Sequence, residues 1–198
     1  MYCTGADHDD CQQPNTRTRN GAWSPFIPNT EDLLKDYKVD IAIWAHEHNY
    51  ERFWPMYNYT VMNGTTHHNQ PYTNARAPLH MITGSAGCQE QKEEFKKKKP
   101  YYSAFRNNDY GYTRLKAHNK THLEFSQVSD DKDGAIIDNF FVIKHSDFQA
   151  KEQSQPKIKQ PPQHYNMQPY YQIMRKINEK KKRTNIDIDS FPIIDIIF

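Results

Sequence analysis

The sequence predicts an α/β fold, in which a parallel strand enters a sheet and a strand-rich segment extends it, and three observations carry that reading. An acidic, helix-compatible stretch leads into VDIAIW at 39–44, a short run with β-branched residues at alternate positions, as a buried parallel strand reads. Four later apolar runs, separated by turn residues, follow the same logic. From about Gln149 the chain turns into KEQSQPKIKQPPQHYNMQPYYQ and KINEKKKRTN, rich in Gln, Pro and Lys without an apolar period, which marks a low-complexity, disordered tail.

Each element has a local cause. Asn29 or Thr30 can cap a short helix over 31–37, with Glu31 and Asp32 in its first turn and Leu33 and Leu34 facing inward. That helix feeds the strand at 39–44. The polar stretch 58–77 reads as a long surface loop. Strands are then expected at 79–83, 112–117, 121–128 and 135–144, with turns at Asn119-Lys120 and Asp133-Gly134. The resulting division is 1–57, 58–77, 78–146 and a tail at 147–198.

Composition bounds the function. Across 198 residues, 26 Lys and Arg against 24 Asp and Glu leave a net charge of +2, too near neutral to suggest a nucleic-acid partner. The runs Lys96 to Lys99 and Lys180 to Arg183 are local; the first reads as a solvated loop, and the second, in the tail, could bind polyanions non-specifically. MYCTGADHDD is too polar for a signal peptide, and the apolar end FPIIDIIF is far shorter than the roughly 20 residues of a membrane span. Cys3 and Cys11, eight residues apart, can close a small disulfide ring or remain as two thiols; Cys88 is left over. The sequons at Asn58, Asn63 and Asn119 fall in expected loops or turns, and two of them share one loop, which favours a secretory route.

The chemistry-bearing residues stand where the first strand stops, in AHEH at 45–48. Ligands of open α/β sheets gather at the carboxyl ends of strands, and in extended backbone residues i and i+2 project to one side, so His46 and His48 could reach one metal or two. The zincin helix motif is excluded, because its second histidine would fall at position 50, which is Tyr50.

Three segments in order, MYCTGADHDDC at 1–11, AHEHNYER at 45–52 and PLHMITGSAGCQE at 78–90, resemble the purple acid phosphatases, and most closely their animal, type 7 acid phosphatase branch. The resemblance covers residues 1 to about 144. It implies the C-terminal part of a metallophosphatase α/β sandwich, with two β-sheets flanked by helices. It also implies a binuclear metal centre, iron with zinc, manganese or a second iron, that hydrolyses phosphate monoesters in a secreted or lysosomal parent. Such a metal pair, about 3.5 to 4 Å apart, clamps the phosphate, activates water and stabilises the leaving oxygen.

By the same resemblance His46 is the ligand of the divalent metal and His48 that of the iron, while His8 has the spacing of a phosphate-contacting histidine, although Asp7, Asp9 and Asp10 around it would repel phosphate. The family's bridging aspartate, iron-bound tyrosine and remaining ligands have no counterpart here, which leaves two ligands of about seven; that is too few to hold a metal pair. Ala45 stands where the family motif has glycine, harmless if its φ is negative and costly if positive. The chain therefore reads as a phosphatase fragment inactive alone, or as a truncated, non-catalytic glycoprotein or binding module.

Overall fold

The computed structural model describes residues 1–6, 10–13, 30–64, 72–87, 92–145 and 194–196. Their backbone forms one helix, α1 (Thr30–Asp36), and ten strands, β1 (Ile41–Trp44), β2 (Tyr50–Phe53), β3 (Met56–Tyr57), β4 (Thr60–Val61), β5 (Leu79–Thr83), β6 (Ser103–Asn107), β7 (Gly111–Asn119), β8 (His122–Ser129), β9 (Ala135–Ile143) and β10 (Ile194–Ile196). The fold is a mixed α/β arrangement with several sheets and few helices.

The first sheet has the order β1-β5-β2-β6. Strand β1 pairs parallel with β5, Ile41 opposite Leu79 and Trp44 opposite Ile82, and β2 pairs antiparallel with both β5 and β6. All five residues of β5 are buried, as expected for a strand covered on both faces. Its side chains alternate accordingly. Leu79 and Met81 join Tyr50, Tyr72, Phe125, Phe140 and Val142 in one core cluster, whereas Ile82 joins Met1, Tyr2, Cys3, Phe53 and Met56 in another.

The second sheet, β10-β7-β8-β9, is antiparallel. Phe125 of β8 and Phe140 of β9 stack at 5.0 Å with an interplanar angle of 4° and face the first sheet through the shared cluster. The β8–β9 connection turns on Asp133 (φ 52°) and Gly134 (φ 78°), so the Asp-Gly pair supplies the left-handed backbone that the turn needs.

A polar clamp ties the sheets together. Asp138 of β9 accepts from Arg52 Nε at 2.7 Å and Arg52 Nη2 at 2.8 Å, and also from the Tyr50 hydroxyl at 2.8 Å. The Arg52 guanidinium lies 4.6 Å from the Phe140 ring centroid. Burial and the neighbouring Asp138 charge push the Tyr50 phenol well above its usual range.

Several expectations change. The stretch 58–77 is not wholly a surface loop: β3 and β4 form a hairpin at its start, and Tyr72, Thr73 and Asn74 at its end are buried, Tyr72 stacked on Trp54. In α1 the fully buried residue is Glu31, accepting from the Tyr2 hydroxyl and from Asn58 N at 2.7 Å; Leu33 and Leu34 are half-buried, and Leu34 faces inward as expected, packed against the cluster of Tyr2, Phe53 and Ile82. The apolar end of the tail contributes β10, paired with β7 from Ile194–Leu115 to Ile196–Thr113. The remainder of 147–198 lies outside the described residues.

Candidate metal centre

Strand β1 ends at Trp44 and β2 begins at Tyr50, yet the two are not neighbours, because β5 lies between them. The five residues 45–49 must therefore cross the end of β5, and they do so as a tight bend. Asn49 N donates to the Glu47 carbonyl at 2.9 Å, Gly84 N donates to the Asn49 carbonyl at 3.1 Å, and His48 N donates to Glu93 Oε2 at 3.0 Å. Gly84, the residue after β5, makes the crossing feasible: a β-carbon there would lie 2.1 Å from the Glu47 carbonyl oxygen.

The bend sorts its side chains. Glu47 and Asn49 are buried, His48 is half-buried and His46 is exposed. His46 has φ 83°, a left-handed conformation uncommon for a residue with a side chain. Extended backbone, from which a common side for the two imidazoles was expected, is thus absent at this position. Ala45 is not among the described residues with positive φ, so its methyl group carries no left-handed strain, and the unusual dihedral sits one residue later.

Beneath the bend, the N-terminal segment is held by a buried carboxylate. Glu51 accepts from Thr4 N at 2.9 Å, Thr4 Oγ1 at 2.6 Å and Ser103 Oγ at 2.6 Å. Desolvation raises its pKa above the usual 4.5, against the lowering effect of these hydrogen bonds. Cys3 and Cys11 are joined by a disulfide with Cα atoms 5.5 Å apart, and Cys11 Sγ lies 3.2 Å from Glu47 Oε1. Sequence reasoning assigned no such role to Glu47 or Gly84; the TGS following an apolar run was the available signal for a close backbone approach.

Among the described residues, the one group of three or more potential ligands with mutually close donor atoms is Cys3, Cys11 and Glu47. His46 and His48 are joined by no third donor there. Two imidazoles alone do not fit a metal pair, because affinity follows ligand number and support. His8 lies outside the described residues. Asn58 and Asn63 are exposed, and so is Asn119, whose Oδ1 accepts from Thr121 N at 2.9 Å and Thr121 Oγ1 at 2.8 Å.

The family described as iron/zinc purple acid phosphatase-like protein C matches residues 77–139, and a mouse protein named acid phosphatase type 7 is 49% identical over 144 residues, covering 73% of this chain and 32% of the mouse protein. The chain carries the C-terminal region of the purple acid phosphatase family. A purple acid phosphatase solved from yellow lupin (Lupinus luteus) seeds superposes with a TM-score of 0.60 at 25% identity, covering 75% of this chain and 24% of the lupin chain. An Arabidopsis thaliana relative, 35% identical over 115 residues that cover 58% of this chain and 18% of its own length, carries the name "probable inactive purple acid phosphatase 27". The chain thus spans about one third of the length of the mouse relative, 32%. Purple acid phosphatases generally have a binuclear metal centre.

Proposed function

We propose that the chain supplies two ligands, His46 and His48, to a binuclear metallophosphoesterase site that hydrolyses phosphate monoesters at acidic pH, and that by itself it is catalytically incomplete. The observation that carries this reading is the bend at 45–49, which sets both histidines at the carboxyl end of a parallel strand and fixes the backbone between them on Gly84. The relatives named acid phosphatase support the reaction class.

The metals this reading implies are iron with zinc, manganese or a second iron, which would polarise the phosphate and activate water. The chain's own contribution is to hold two imidazoles on a braced turn. The remaining ligands would belong to sequence that this chain does not carry. A secreted or lysosomal setting, with glycans on Asn58, Asn63 and Asn119, agrees with the exposure of all three side chains and with the disulfide. No described helix is long and apolar enough to cross a membrane.

A second reading has its own support. Relatives whose names read "probable inactive purple acid phosphatase" favour a non-catalytic glycoprotein or binding module. Hydrolysis of a chromogenic phosphate ester by the purified chain, with iron and zinc added, tests both. The expected result is no turnover and no purple colour. Turnover that survives purification and disappears in His46→Ala would overturn the claim of incompleteness.

A further inference from the structure

We infer that Cys3, Cys11 and Glu47, once the disulfide is opened, bind a thiophilic divalent cation of the zinc type through donors other than the two histidines. The sulfur and carboxylate donors of these three residues all lie within 4.8 Å of one another. Cys3 is 2% exposed and Glu47 4%, while Cys11 is half-buried and leaves an approach from solvent. Two thiolates and one carboxylate are a zinc donor set, with one position of the tetrahedron left for water.

The three residues are held in place by independent anchors. Cys3 precedes Thr4, whose amide and hydroxyl are fixed on Glu51 and whose carbonyl accepts from Lys96 N at 3.0 Å. Cys11 lies in the 3-10 turn Asp10–Gln12, from which Gln12 Nε2 donates to the Gly5 carbonyl at 2.8 Å. Glu47 is carried by the bend that rests on Gly84.

The 3.2 Å approach of Cys11 Sγ to Glu47 Oε1 has different meanings in the two redox states. A disulfide sulfur has no hydrogen, so in the oxidised protein this is an S···O contact. In the reduced protein the thiol can donate to the carboxylate, and a cation can replace that proton.

The chemistry balances with a phosphine as reductant: it gives two electrons to the S–S bond, takes an oxygen atom from water to become the phosphine oxide, and the two water protons leave on the sulfurs. The cation then displaces the thiol protons to solvent. Oxidised protein has no thiolate to offer and should not bind.

The experiment uses the full chain with Cys88→Ser, reduced with a phosphine and titrated with cobalt(II) and zinc(II). A stoichiometric equivalent of cobalt with thiolate-to-metal charge-transfer absorption is expected, displaced by zinc, unaltered in a His46→Ala/His48→Ala variant, lost in Cys11→Ala and weakened roughly tenfold or more in Glu47→Gln, as for removal of a supporting metal contact. Zinc should also slow alkylation of both Cys3 and Cys11 in the reduced parent, read by mass spectrometry, a measurement that needs no variant at the site. Absence of the charge-transfer band, unchanged affinity in Glu47→Gln, or alkylation indifferent to zinc overturns the proposal.

Discussion

The carbonyl oxygen of Glu47 occupies the space that a β-carbon on Gly84 would fill, with only 2.1 Å between them. One residue closes β5 and the other lies between the two histidines, so a single missing methyl group sets how closely the histidine bend approaches the sheet. Gly84 is not among the described glycines with positive φ; the requirement is for space rather than for an unusual dihedral.

Gly84→Ala should therefore act through overpacking and move the bend. Backbone is the neighbour, and backbone cannot rotate away as a side-chain tip can, so a loss of about 1–3 kcal/mol is expected. Chemical denaturation should show the loss, and the NMR signals of His46 and His48 should shift more than those of His118 and His122 on the second sheet. Unperturbed His46 and His48 signals would mean that the bend does not depend on this contact.

The Arg52–Asp138 pair should be far more sensitive to single than to double replacement. Its side chains are 11% and 7% exposed, so removal of one partner strands a charge in the core, at about 3–5 kcal/mol. Asp138→Leu, which leaves the guanidinium unpaired, should show the full loss in urea unfolding. Arg52→Met with Asp138→Leu should recover much of it, although Tyr50 then loses its acceptor.

That pair also explains what was legible in the sequence. β5 was readable from its apolar Leu79, Met81 and Ile82, although His80 and Thr83 are buried with them, and β7 to β9 because turn residues punctuate them. Strand β2, YERF, was not expected as a strand even though it sits in the middle of the first sheet. Its polar centre looks solvated until partners far away are known: Glu51 rests on Thr4, 47 residues earlier, and Arg52 on Asp138, 86 residues later. Tyr72 was hidden in a polar stretch for the same reason, since its hydroxyl donates to the Phe53 carbonyl at 3.0 Å. The histidines were visible by motif, whereas the bend that carries them depends on a sheet order in which β5 separates β1 from β2.

Stability should respond to acid through Glu51. Its folded pKa is raised above the ordinary 4.5 by burial, so the folded state takes up a proton more readily than the unfolded chain. The stabilising contribution is then complete below 4.5 and is lost as pH rises through the raised folded value. Glu31, raised chiefly by desolvation as well, works in the same direction. Thermal unfolding of the parent and of Glu51→Gln across roughly pH 4 to 7, the range around the carboxylate pKa, should give a difference between the two proteins that grows with pH in favour of the glutamine variant. A constant difference would mean that Glu51 does not titrate in this window.

The dihedral of His46 gives the last prediction. At φ 83° a residue with a β-carbon is disfavoured by about 1–2 kcal/mol relative to right-handed backbone, and glycine is not. His46→Ala and His46→Gly delete the same imidazole, so any lost ligand interaction cancels between them. What remains is the strain that alanine keeps and glycine relieves, offset by the extra freedom of glycine in the unfolded chain, about 0.4–1 kcal/mol. The glycine variant should therefore equal or exceed the alanine variant in stability by up to about 1.6 kcal/mol, measured by urea unfolding in metal-free buffer. An alanine variant clearly more stable than the glycine one would mean that His46 does not hold this conformation, whereas the expected order would mean that the fold retains a histidine at a position where glycine fits better, as sites under a ligand-binding constraint do.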